Sequence, residues 1–493
     1  MGNRKFLLLI GLLLFILTAT ADDSIRIRSC RPINGAQKTV HLRSARRTSD
    51  VNPYIGERRQ LVILVAFADR SFKDDETTTM ELWDNIFNTV NFSEEPYKGS
   101  VHDYFFAQSY SQLNLMFDLQ YVQLSENCEK YRSWDMSYGD AADDDENSQY
   151  LVQDIMEVLK ARDIDWSLYD WNGDGYVNQL LIVYAGKGMN DGGGKNSIWP
   201  HQWWLSEHLK DRQPDVYCNP VKVSYKDKDY LVDCYCAVEE IGVTSASFGT
   251  ICHEYSHCFG LPDFYYGSTN YVGSWDLMDY GNYNGDGYCP AGYSAHERML
   301  MGWLDMTELS EPSVINDLGS LEEQSQAYLI RNDGYANEYY IVENRQQTGW
   351  DQYLPGSGIV IFHIDYDEDV WKKGIPNTYN NKRYTIIPAN NKTSYSDKNA
   401  ADWAYPYGEN DSLTNLSMPA ATLLHKNTDG TTFMNKPIWN MEVTGGIASF
   451  TFIDDPTGIW ERKIEGQPQI LFDLGPIYII RNARGEIKKV MKH

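Results

Sequence analysis

Apolar residues fall into short blocks of contrasting period along this chain. LVILVAFAD (61–69) is a continuous run rich in β-branched and aromatic residues that predicts a buried strand, and QLLIVYAG (179–186) predicts a second. Between them, GSVHDYFFAQSYSQLNLMFDL (99–119) reads as helix, turn and strand. SQYLVQDIMEVLKAR (148–162) puts Leu151, Ile155, Val158 and Leu159 on one helical face. SASFGTICHEYSHCF (245–259) predicts another helix, whose Ile251, Tyr255 and Phe259 at i, i+4 and i+8 form the buried stripe. Helices and strands stay mixed as far as MGWLDM (301–306), which suits an α/β or α+β unit. Beyond it the runs shorten and alternate: AYLIRN, EYYIVENRQ, GIVIFHIDYD, RYTIIPA and GIASFTFID, parted by Gly, Asn and Asp. That texture predicts a β-sandwich-like second unit. A small tail follows, with strands ILFDL and IYIIRN, as a targeting or docking element.

The first 21 residues break this pattern. Arg4 and Lys5 precede an apolar run from Phe6 to Leu17 and an Ala19-Thr20-Ala21 ending, which predicts a cleaved secretory signal too short to span a bilayer. No later segment reaches 18 apolar residues, so no membrane helix is expected. Residues 22–50 lack apolar periodicity, are rich in Arg and end near a dibasic Arg46-Arg47, as a short pro-segment or a disordered arm would. The expected organisation is 1–21 signal, 22–50 pro-segment, 51–306 catalytic domain, 307–455 β-rich domain and 456–493 tail.

Charge narrows the partners. The 493-residue chain carries a formal charge of -26, and losing Arg4 and Lys5 takes it to -28. Such acidity repels nucleic acid and anionic lipid, so neither is expected as a partner. All eight cysteines (30, 128, 218, 234, 236, 252, 258 and 289) lie after the signal, where an oxidising compartment permits disulfides in any of 105 pairings. Cys252 and Cys258 are the exception: six apart on a helix, they sit about 240° apart around it and cannot bond.

The chemistry concentrates in HEYSHCFGLPD (253–263). A bare HExxH arises by chance in about one such chain in a hundred, and Gly and Asp at fixed offsets make the coincidence about a hundredfold rarer. One helical turn separates His253 from His257, so two imidazole nitrogens can reach one Zn²⁺. Glu254 is set to take a proton from an attacking water and return it to a leaving amine. Gly260 ends the helix in a left-handed turn, Leu261-Pro262 stiffens the return, and Asp263 arrives as third ligand, with Glu297 and Asp276 as rivals. Met278, in GSWDLMDYG, suits a Met-turn beneath the metal, or an ordinary core position. Tyr280 could donate to an oxyanion or simply pack. Asp170, Asn172, Asp174, Tyr176 and Asn178, in DWNGDGYVN, form the front half of a Ca²⁺ loop whose twelfth-position acid is missing: position 181 is Leu. Cys30 could place a thiolate on the zinc and keep a zymogen latent, or enter a disulfide.

HEYSHCFGLPDFYY, with VGSWDLMDYG and SAHERMLMGWL, resembles the immune inhibitor A family of secreted bacterial zinc metallopeptidases. The likeness runs over residues 55–455 and takes in KGSVHDYFFAQSYSQLNLMFDL, IWPHQWW and EYYIVENRQQTGWDQYLPGSGIVIFHID. It implies a zincin/metzincin-like α+β catalytic domain, zinc on His253, His257 and Asp263, Glu254 as general base and Met278 as the Met-turn residue. His201, in IWPHQWW, receives no role. The expectation is a secreted monomeric zinc metalloendopeptidase, extracellular or on the cell surface with the periplasm open, acting on proteins or peptides. The alternative is a non-catalytic secreted adhesin or glycan-binding protein with a structural zinc.

Overall fold

The computed structural model describes residues 52–132, 147–207, 219–242 and 247–453, with strand segments at 469–473, 477–481 and 487–491. The expected signal, the pro-segment with Cys30, and Cys218 lie outside the described residues. In chain order the first half contains β1 (Gly56–Ala66), α1 (Glu76–Asn88), α2 (Val101–Gln108), β2 (Leu113–Gln123), α3 (Ser148–Leu159), β3 (Tyr176–Val177), β4 (Leu180–Lys187), β5 (His201–Trp204), β6 (Val221–Tyr225), β7 (Lys228–Val232), β8 (Cys234–Ile241), α4 (Ser247–Cys258) and α5 (Ala295–Met301). The main sheet runs β2-β1-β4-β8-β5, parallel except for β5, which pairs antiparallel with β8 at the edge.

Parallel strands are covered on both faces, and this is why Leu61–Ala66 of β1 and Leu180–Ala185 of β4 are buried apolar runs without interruption. Alternation sorts their side chains. Val62, Leu64, Leu181, Val183, Cys236 and Val238 join one core with α1, α2 and α4. Leu61, Ile63, Leu180, Ile182, Tyr235 and Ala237 join another with α3. The resulting class is mixed α/β, with a mainly parallel sheet in place of the segregated layers that α+β implies. β3, β7 and β6 form a small separate sheet.

The second half contains β9 (Thr307–Glu308), β10 (Ser313–Leu318), β11 (Tyr328–Arg331), β12 (Glu338–Arg345), β13 (Gly358–Asp365), α6 (Glu368–Lys372), β14 (Tyr384–Ile386), α7 (Asp397–Ala400), β15 (Ile438–Thr444) and β16 (Ile447–Phe452). A five-stranded sheet, β14-β13-β12-β11-β9, faces two ways. Tyr340, Val342, Ile359 and Ile361 point into a core shared with the three-stranded sheet β10-β16-β15. From its other face, Tyr339, Ile341, Val360 and Phe362 enter the core that also holds α4. The ranges 51–306 and 307–455 therefore bury side chains in one common core. In the tail, β17 (Gln469–Asp473), β18 (Ile477–Arg481) and β19 (Ile487–Met491) pair antiparallel in that order. No helix among the described residues is long and apolar enough to cross a membrane.

Candidate metal centre

Helix α4 lies on the sheet with Phe248, Ile251, Tyr255 and Phe259 in the core. Gly249 lets it approach the turn after Tyr280 closely: a Cβ there would meet the Asn282 carbonyl oxygen at 1.9 Å. Helical spacing then brings His253 and His257 together, with ring centroids 4.9 Å apart and planes nearly perpendicular. Gly260, at φ +90°, turns the chain back as a left-handed residue must. The turn delivers Asp263: its Oδ1 is 3.1 Å from His253 Nε2 and 3.3 Å from His257 Nε2.

His253, His257 and Asp263 form the group of potential metal ligands found among the described residues. A tetrahedron with bonds of 2.0–2.1 Å has edges of about 3.3–3.4 Å, close to the two separations observed. His253 Nε2 and Asp263 Oδ1 are buried and find no well-formed hydrogen bond outside their own cluster, an expensive arrangement unless a cation joins them. The other ring nitrogens are tied to backbone carbonyls: His253 Nδ1 donates to Leu277 at 2.8 Å and His257 Nδ1 to Leu261 at 2.7 Å. Such bonds fix the tautomer and aim Nε2 at the metal position.

Electrostatics agrees with a cation site. Burial alone would lower the pKa of His257, but the Asp263 carboxylate raises it to about 9. Asp263, which burial would raise, is held at about 2 chiefly by His257, then His253.

Met278 is fully buried in the turn that supports His253. The same turn accepts the Phe264 N–H on the Met278 carbonyl at 2.8 Å, fastening the residue after Asp263. Asp276 shapes it, with Oδ1 accepting Met278 N–H and Oδ2 accepting Tyr384 O–H, both at 2.8 Å. Glu297 lies outside the three-residue group. It is the third residue of a capping box on α5, accepting Ser294 N–H at 2.7 Å. Burial, then the neighbouring Asp276 charge, push its pKa well above the ordinary carboxylate range. Tyr280 packs against Tyr283 and Tyr395 at 5.0 and 6.2 Å. His201 bonds the Trp199 carbonyl and Tyr235 hydroxyl.

In the loop expected to take Ca²⁺, the oxygens are engaged by its own turn. Asp170 accepts from Asp174 and Gly175, Asp174 from Tyr176, and Asn178 from Trp171. Cys128, Cys234, Cys236, Cys252, Cys258 and Cys289 are free, so the disulfides expected from the cysteine count are not formed among the described residues. All but the partly exposed Cys258 are buried.

A family model described as the immune inhibitor A peptidase M6 catalytic domain matches residues 52–302, half of the chain. The chain belongs to the immune inhibitor A peptidase family. It is similar to "Immune inhibitor A" of Bacillus thuringiensis subsp. alesti, 28% identical over 199 residues, covering 34% of this chain and 28% of that protein. The matched stretch thus spans little more than a quarter of that relative.

The sequence did not point to Tyr384 or Asn377. Asn377 Nδ2 donates to the Phe264 carbonyl at 2.8 Å, and the Tyr384 ring stacks on Phe264 at 3.6 Å. Both reach the site from the second half, where a strand pattern alone carries no such signal.

Proposed function

We propose that the protein is a secreted zinc-dependent metalloendopeptidase that cleaves proteins or peptides, with Glu254 as general base. The observation that carries the reading is the convergence of His253 Nε2, His257 Nε2 and Asp263 Oδ1 within bonding range of one ion, with Glu254 buried beside the first histidine. When bound, a divalent cation polarises a carbonyl and acidifies a water. Asp263 and the two imidazoles supply the hard and borderline donors that zinc prefers. Glu254 accepts the proton of the attacking water and returns it to the leaving amine, a role worth about 10²–10⁴ in rate. The Met278 turn keeps His253 oriented through the Leu277 carbonyl. Edge strand β5 offers backbone groups to an extended peptide.

Three protein donors among the described residues leave a coordination position for water or substrate, whereas a structural zinc site takes four, and this disfavours the adhesin reading. A catalytic unit at 51–306, a β-sandwich-like unit at 307–455 and a tail at 456–493 complete the proposed organisation, with the N-terminal 21 residues as signal. Glu254→Gln tests the assignment. Zinc content measured by mass spectrometry should stay near that of the wild type while casein hydrolysis falls at least about 10²-fold. Hydrolysis at the wild-type rate would remove Glu254 from the chemistry, and casein left intact by the zinc-loaded wild type would remove the peptidase.

A further inference from the structure

We propose that Cys234 and Cys258 are a redox-closable pair, oxidised by an external disulfide to a bond that ties the end of α4 to β8. Cys234 opens β8 and Cys258 closes α4, and their Sγ atoms lie 4.0 Å apart. A disulfide of about 2.0 Å asks each sulfur to move by about 1 Å. Both cysteines line one pocket, with Trp204, Asp233 and His257. Cys258 is partly exposed, so a small thiol reagent can reach the pair from that pocket.

The neighbouring thiols are worse partners. Cys236, two residues along the same face of β8, also interacts with Cys258, but it is 1% exposed and sealed in the core, away from the pocket that an oxidant enters. Cys252 is fully buried and points away around the helix. Cys234 is held at the pocket by Gln202, whose Nε2 lies 3.3 Å from its sulfur.

With glutathione disulfide as oxidant, the partly exposed Cys258 thiolate attacks one sulfur, forming a mixed disulfide and expelling one glutathione thiolate. The Cys234 thiolate then attacks the Cys258 sulfur, forming the internal bond and expelling the second. Two cysteine thiols lose two electrons and two protons, and the glutathione disulfide leaves as two thiols. The closed loop spans the helix that carries His253, Glu254 and His257, and its closure removes entropy from the unfolded chain. The pairing rests on the thiol geometry and stands whether or not the protein hydrolyses peptides.

The full-length protein is incubated with reduced or oxidised glutathione, blocked with iodoacetamide, digested without reduction and mapped by mass spectrometry. A Cys234–Cys258 cross-linked peptide is expected in the oxidised arm, lost on adding dithiothreitol. Its formation should raise the melting temperature by about 3 °C. Cys258→Ser and Cys234→Ser should each abolish the rise. Carbamidomethyl groups on both cysteines after oxidation overturn the proposal, as does Cys258 linked to Cys236, or a cross-link that leaves the melting temperature unmoved. The mapping is read on the wild type, so a variant that fails to fold does not blunt it.

Discussion

In the metal-free protein His257 should carry a proton on the very nitrogen a metal needs. Nδ1 donates to the Leu261 carbonyl, so the second proton of the imidazolium sits on Nε2, facing Asp263 Oδ1 at 3.3 Å. Burial opposes this charge, but Asp263 outweighs it and raises the pKa from 6.5 to about 9. At pH 7, two units lower, about 99% of His257 is protonated, and the shift corresponds to about 3 kcal/mol of stabilisation. Because the folded pKa is raised, that stability is fully present below pH 6.5 and is lost as pH climbs through 9. Asp263, lowered from 3.8 to about 2, adds the opposite limb: its stabilisation is present above pH 3.8 and fades as pH falls through 2. The two limbs describe one interaction, so they are not summed. Metal-stripped protein should therefore be most stable between about pH 4 and 6.5 as far as this pair is concerned, and its apparent zinc affinity should rise up to about tenfold per pH unit towards 9. Histidine-selective NMR titration of the stripped protein, with His257→Gln to assign the signal, reads the midpoint directly. Asp263→Asn should bring it down, since burial is then opposed only by the Glu254 charge and the Leu261 carbonyl. A wild-type midpoint under about 7.5, or one indifferent to Asp263→Asn, would refute the reasoning.

Three further outcomes are expected from chemical denaturation. Gly249→Ala drives a methyl to 1.9 Å from the Asn282 carbonyl and should cost at least about 2 kcal/mol; a midpoint equal to that of the wild type would mean α4 can retreat freely. Arg345→Met strands Asp351 and Glu343, which the fully buried guanidinium bonds at 2.6 and 3.1 Å, and should cost about 3–5 kcal/mol; a midpoint equal to that of the wild type would mean the two carboxylates find other partners. Tyr384→Phe keeps the ring on Phe264 but deprives Asp276 of its donor, costing about 1–3 kcal/mol and speeding zinc loss to a chelator; unchanged zinc retention would sever Tyr384 from the site.

The local part of this architecture was legible in the sequence because it depends on period. Continuous apolar runs became β1 and β4, and the 3.6-residue stripe of Ile251, Tyr255 and Phe259 became the buried face of α4. The spacing of His253, His257 and Asp263 was legible for the same reason: a helix and one glycine turn bring them together with no help from distant chain. What stayed hidden is long-range. Glu297 looked like a ligand because composition shows a carboxyl and not its partner; its oxygen is spent on Ser294 at the start of α5. The mainly parallel order of the sheet, the pairing of Cys234 with Cys258 across 24 positions, and the reach of Tyr384 to Asp276 across 108 positions all require the folded chain.

That last reach bears on why the second half exists. A zinc site built from one helix and one turn would have His253 aimed by the Leu277 carbonyl, in a turn whose far end is fastened by Asp279 Oδ2 accepting the Tyr271, Val272 and Gly273 N–H groups but whose Asp276 carboxylate accepts a single amide within it. The remaining oxygen of Asp276 is satisfied by Tyr384 on β14, and Asn377 takes the Phe264 carbonyl next to Asp263. Trp275, Leu277 and Met278 share their core with Trp371, Tyr384 and Trp403. Buried polar contacts of this kind stabilise weakly one at a time but penalise any other arrangement, because each leaves a desolvated partner unpaired. The β-rich half thus acts as the rigid backing of the Met278 turn. Deleting it should leave the helix pattern intact yet cost the protein its preformed metal geometry, so a 1–306 fragment should bind zinc more weakly than the full chain or fail to fold at all.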